Sequence, residues 1–148
     1  MKLYLLRHGD AVEAADPKFK DVERPLTPKG IQRTKQLAHA LQQMEISFEA
    51  VLSSPLTRAR ETAEIVLRGL AFSGKLDLTD SLTPFGSMEN LVSLLKTLRP
   101  VPENVLLVGH EPYLSGFISL LARPTSLGKR EIRSINCTSE RANGYAAG

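Results

Sequence analysis

Two arginines and two histidines carry the chemistry that this sequence can do. Arg7 and His8 stand together in "LYLLRHGDA" (3–11), where an apolar run stops and a glycine follows at once. Arg58 follows "VLSSPLT", and His110 closes "NVLLVGH". Guanidinium forks match the oxygens of a phosphate. A neutral imidazole can attack phosphorus through a ring nitrogen. Together these residue types describe an anion pocket suited to phosphoryl transfer through a phosphohistidine, with cations neutralising the equatorial oxygens as charge develops. Any one of the four alone is an ordinary surface or core side chain. Their occurrence at the ends of three separate apolar runs is what points to a site.

For the four to meet, those runs must be parallel neighbours in one sheet. Strands read over 2–6, 49–54, 75–80 and 103–110, and helices over 27–44, 54–70, 87–98 and 112–122. Thr27 suits the cap of the first helix and Pro28 its first turn, and Ser54 and Pro55 suit the same places in the second. Leu91, Leu94, Leu95 and Leu98 recur at helical spacing in the third. Near-continuous apolar strands alternating with amphipathic helices imply an α/β fold: a three-layer α/β/α sandwich with a mostly parallel sheet. In such sheets ligands bind beyond the carboxyl ends of the strands. Helix N-termini there add unpaired N–H groups, and Gly9 would let the backbone come close to the ligand. The polar stretch 9–26 has no periodic element and reads as a functional loop. Residues 134–148 read as an irregular tail to a single domain spanning 1–148.

Rival chemistries lack their residues. Three histidines without an HxxxH pair and a single cysteine, Cys137, supply no metal-ligand set, so neither metal nor cofactor is expected. No glycine-rich phosphate loop, nucleophile elbow or cysteine-based phosphatase loop occurs. Nineteen basic against sixteen acidic residues suit an anionic substrate. No dense basic run and no tryptophan mark a nucleic-acid partner. No apolar run approaches the roughly 20 residues of a membrane span. One cysteine cannot form an internal disulfide, which fits the reducing cytoplasm.

At these residues the chain resembles the histidine phosphatase superfamily, whose fold is phosphoglycerate mutase-like. The resemblance runs over about residues 1–122, in the ordered blocks "LLRHGDA", "VLSSPLTRARETAEIV" and "VLLVGHEP". The short length, "RHGDA" and "RPLTPKG" (24–30) are similar to the small phosphohistidine phosphatases of the SixA type. The resemblance implies that His8 is the nucleophile and that Arg7, Arg58 and His110 hold the phosphoryl group. It also implies that Arg24 lies near the pocket mouth, against substrate or phosphate. The activity implied is metal-independent hydrolysis of phosphohistidine on a phosphorylated protein, such as a histidine phosphotransfer domain. Many superfamily members take a general acid from between the second arginine and the second histidine. That segment offers Asp77, Asp80 and Glu89, none in the family's context. An ester leaving group needs the proton, worth about 10²–10⁴ in rate, whereas a phosphoramidate leaves as imidazole and needs less help. The balance favours a P–N substrate, with phosphatase action on a small phosphorylated molecule, or a non-catalytic phosphate-binding module, as the alternatives. Small members also end in a further strand, for which residues 134–148 show no alternation.

Overall fold

The computed structural model describes residues 1–123 and the backbone of residues 131–135. Five parallel strands form its sheet: β1 (Lys2–Arg7), β2 (Ala50–Ser53), β3 (Leu76–Leu78), β4 (Asn104–Gly109) and β5 (Glu131–Ile135). Their order is β3-β2-β4-β1-β5. Four helices cover the sheet: α1 (Pro28–Gln43), α2 (Thr57–Gly69), α3 (Met88–Thr97) and α4 (Tyr113–Leu121). Alternation along β1 divides the core. Leu3 and Leu5 pack with Leu91 and Leu95 of α3 and with Tyr113, Leu114 and Phe117 of α4. Tyr4 and Leu6 pack on the other face, with Leu41 of α1 and Ala59, Ala63 and Val66 of α2. Both faces are dry, so β1 and β4 are apolar at nearly every position rather than at alternate ones. Each fully buried leucine contributes roughly 1.5–3 kcal/mol.

The register sets up the functional edge. β1 lies between β4 and β5, and β4 lies between β2 and β1. Arg7 pairs with Gly109, and the His8 N–H donates to the Gly109 carbonyl at 3.1 Å. The three strands that end in unusual residues are therefore neighbours, as the sequence requires.

Local signals explain most of the element ends. Thr27 caps α1, its Oγ1 accepting from the Gly30 N–H at 3.0 Å, and Ser87 caps α3 in the same way. α2 departs from the expectation. It begins at Thr57 with no side-chain cap, because the residue at the cap position is Leu56; the Ser54 hydroxyl, two residues earlier, lies 2.9 Å from His110 Nε2. The C-terminus departs too. β5 pairs in parallel with β1 through Ile135, so a closing strand is present and takes in the first two residues of the expected irregular tail. The remainder of that tail, from 136, lies outside the described residues.

Stretch 9–26 folds over the carboxyl end of the sheet as a loop with a short 3-10 turn at Asp21–Glu23. Its two ends are joined by a bridge between Ala11 and Leu26, and the Leu26 N–H donates to Glu61 of α2 at 2.8 Å. Gly30 gives α1 its close approach: a Cβ there would collide with the Asp10 carbonyl. At Gly9 a Cβ would meet Thr34 Oγ1 at 2.8 Å, so this glycine makes room for α1 rather than for a ligand. No helix among the described residues is long and apolar enough to cross a membrane.

Candidate active site

A cavity of about 390 Å³ opens at the carboxyl edge of the sheet, and Arg7, His8, Arg24, Arg58 and His110 all line it. Residues from β1, loop 9–26, α2 and the end of β4 thus reach one place. His8 and His110 come from adjacent strand ends, and their ring centroids are 5.1 Å apart.

The tautomer of His8 follows from its partner. Nδ1 lies 2.8 Å from the Gly9 carbonyl. A carbonyl can only accept, so Nδ1 carries the proton and Nε2 keeps its lone pair. Burial, reinforced by the charges of Arg58, Arg7 and Arg24, holds the His8 pKa down at about 4, against the opposing effect of the Gly9 hydrogen bond. His8 is therefore neutral at pH 7, with the electron pair that a nucleophile needs.

His110 is only 2% exposed. Burial, then the neighbouring His8 and Arg58, lowers its pKa to about 3. The Ser54 hydroxyl accepts from the Leu56 N–H at 3.3 Å, which leaves its own proton for His110 Nε2. In that arrangement the His110 Nδ1–H is a buried donor without a partner among the described residues. Arg58 Nε is another. Unpaired buried donors are costly, and two of them on one cavity beside further guanidinium groups suit a tetrahedral anion.

Arg58 reaches the cavity from the first turn of α2, and Thr62 on the next turn ties that helix to the end of β1 beside His8. Thr62 Oγ1 accepts from the Gly9 N–H at 3.0 Å and donates to the Arg58 carbonyl at 2.7 Å. Burial is the largest influence on Arg58 and works against its charge, while Asp21 is the largest opposing one. Arg58 Nη1 donates to the Asp21 carbonyl at 2.8 Å. Arg24 is held by the same residue, with Nε and Nη2 on Asp21 Oδ1 at 3.0 and 2.7 Å and Nη1 on the Val12 carbonyl at 2.6 Å.

Sequence reasoning missed Asp21, Thr62 and the true use of Ser54. The three carboxylates between Arg58 and His110 that the sequence offers as a general acid stand apart from the cavity. Asp77 pairs with Lys75 at 3.3 Å, Glu89 accepts from the Ser87 hydroxyl at 3.1 Å, and Asp80 lies on a 3-10 turn. None of the three lines the cavity. The carboxylates that do are Asp10 and Glu111. Asp10 is bound to Arg33 at 2.7 Å; Glu111, beside His110 in the chain, is exposed and accepts from the Ser115 N–H at 3.3 Å.

Residues 3–96 match the histidine phosphatase superfamily (branch 1). The chain belongs to that superfamily. Relatives agree over most of its length. It is 41% identical to an uncharacterised protein of a Picosynechococcus species, across 82% of this chain and 73% of that one. It is 31% identical to the phosphohistidine phosphatase SixA of Escherichia coli, across 82% of this chain and 74% of the other. The solved structure of the protein histidine phosphatase SixA with tungstate aligns with a TM-score of 0.74 at 27% identity, over 88% of this chain and 82% of that one. As a histidine phosphatase with the phosphoglycerate mutase-like fold, the protein falls in the phosphatase class.

Proposed function

We propose that this histidine phosphatase hydrolyses phosphohistidine carried on a protein, by way of a phosphohistidine formed on His8. The observation that carries the reading is the Nδ1 hydrogen bond to Gly9, which leaves His8 Nε2 as the basic nitrogen among the cavity's cations. His8 Nε2 attacks phosphorus, the substrate's P–N bond breaks, and the departing imidazole, protonated on its other nitrogen, leaves neutral. The enzyme's phosphoimidazole then holds its own proton on Nδ1, so nucleophile and leaving group are the same chemical species. Water next attacks phosphorus, the P–Nε2 bond breaks, and phosphate departs with the water's protons. Arg7, Arg58 and His110 hold the equatorial oxygens through both steps. Neither step calls for a strong acid, in keeping with the carboxylates described above.

A macromolecular substrate fits the cavity mouth. Pro84 lines the cavity, and the next residue, Phe85, is 99% exposed. The turn presenting it is stiff: Thr83 Oγ1 donates to the Asp80 carbonyl at 2.8 Å, and the Gly86 N–H donates to the Thr83 carbonyl at 3.0 Å. An exposed phenylalanine there offers a protein partner an apolar contact at the cavity mouth. The reading also assigns the enzyme to the cytoplasm, where phosphohistidine proteins would be its partners.

The test is a turnover panel: a phosphohistidine protein, a phosphohistidine peptide and common sugar phosphates, each against wild type and His8→Ala. The protein substrate should be fastest, His8→Ala should be inactive, and base-quenched wild type should carry acid-labile phosphate. Faster turnover of sugar phosphates would overturn the substrate assignment. One observation favours that second reading: Glu111 lies on the cavity wall, within the site where an alkoxide would need its proton. In that case Glu111→Gln would slow ester hydrolysis strongly and leave phosphoramidate hydrolysis nearly unchanged.

A further inference from the structure

Two of the cavity's three arginines, Arg24 and Arg58, are not free to serve a phosphoryl group in full. Asp21 Oδ1 takes two donors of Arg24, and Val12 takes a third. Asp21 Oδ2 lies 3.5 Å from Arg58 Nη2, and the Asp21 carbonyl accepts from Arg58 Nη1. One residue of an exposed turn therefore engages both guanidinium groups. The pairing is lopsided in solvent access, since the Arg58 side chain is 5% exposed and that of Asp21 is 59%. An exposed acid that reaches in to a buried arginine neutralises charge that burial would otherwise penalise. It also puts a negative charge beside the place where phosphate must bind.

We propose that Asp21 is the resident anion of this site. It occupies guanidinium donors that a phosphoryl group would otherwise take, and so sets the cavity's affinity for free phosphate. With three arginines on its walls the cavity would hold product tightly, and affinity spent on product does not speed the reaction. A carboxylate that competes for Arg24 and Arg58 lets inorganic phosphate leave. The inference rests on the anion site alone, and stands whether the phosphoryl group arrives on a histidine or on a small ester.

The experiment measures inorganic phosphate binding to the whole chain, by calorimetry and as competitive inhibition of ester hydrolysis. Asp21→Asn and Asp21→Ala are compared with Glu23→Gln, which removes an exposed charge on the same turn, away from the cavity lining. The Kd of phosphate should fall about tenfold in both Asp21 variants, the size expected for removing one like charge at a few ångströms in a solvent-exposed setting. Glu23→Gln should stay within about twofold, because a charge further off is screened. Thermal unfolding with and without phosphate gives a second readout, since a ligand that binds more tightly raises the melting temperature further. An unchanged Kd in Asp21→Asn overturns the proposal. Weaker binding in both Asp21 variants overturns it too, and would make Asp21 a positioning residue for the arginines. Equal tightening in Glu23→Gln would reduce the effect to net charge and also sink it.

Discussion

The floor of the cavity and its side wall are built on opposite principles. His8 and His110 stand on neighbouring strands whose register is fixed by the central pairing of the sheet, and both are held neutral by burial. Arg24 and Asp21 stand on a loop whose shape depends on a few hydrogen bonds, and they pair with each other at 2.7 Å. The floor needs an atom in one position with its lone pair free. The wall needs only charge, which acts over distance and tolerates adjustment. The two histidines thus sit at the ends of central strands, and the Arg24–Asp21 pair on the less regular loop beside them.

The contrast is open to attack from either side. His8→Ala removes the proposed nucleophile and should lower turnover by at least about 10³-fold, read as single-turnover loss of phosphate from the substrate. Retention of activity would take the floor out of the chemistry altogether. Ser54→Ala leaves the sheet intact but removes the hydroxyl at His110 Nε2. A loss of roughly tenfold in kcat, with KM little changed, is the size seen when an orienting partner is removed; a change confined to KM would make Ser54 part of binding instead. Arg24→Ala should act more gently, raising KM by a few-fold with kcat nearly constant, because its donors are already engaged by Asp21 and Val12. A kcat loss as large as that of Ser54→Ala would erase the distinction between floor and wall.

Acid titration gives the smallest effect and the cleanest sign. Both histidines have folded-state pKa values below the ordinary 6.5, at about 4 for His8 and about 3 for His110. Between pH 6.5 and about 4 the unfolded chain takes up protons that the folded floor refuses, so stability falls as pH falls through that window. Melting temperatures of wild type and His110→Gln in phosphate-free buffer should converge toward low pH, the variant having the shallower decline. Parallel curves would mean that His110 is not held neutral.

The floor was legible in the sequence because its residues end apolar strands, and strand ends in a parallel sheet share an edge. Three short blocks and an alternating pattern of elements were enough to bring Arg7, His8, Arg58 and His110 together. Asp21 was not legible. It lies in a stretch without period, 37 positions from Arg58, and an aspartate there looks like any solvated loop acid. Ser54 was misread for a different reason: a serine before proline at a helix start is a cap by local rules, but the helix starts two residues later, at Thr57, and the hydroxyl meets the Leu56 N–H and His110 Nε2. Glu111 was visible beside His110 but carried no pattern of its own. β5 was missed because a short edge strand without clear alternation leaves little trace in sequence.

The strand order has a consequence for when this protein becomes chemically competent. β1 and β2 never touch, and β4, made much later, must slide between them to hydrogen-bond with both. A chain that has not yet produced residues 104–109 therefore holds Arg7 and His8 on a strand with no neighbour on that side. Non-local pairings of this kind form late, after loop closure has been overcome. Arg7 and His8 on one side and Arg58 on the other come to share one edge only when β4 pairs with both β1 and β2.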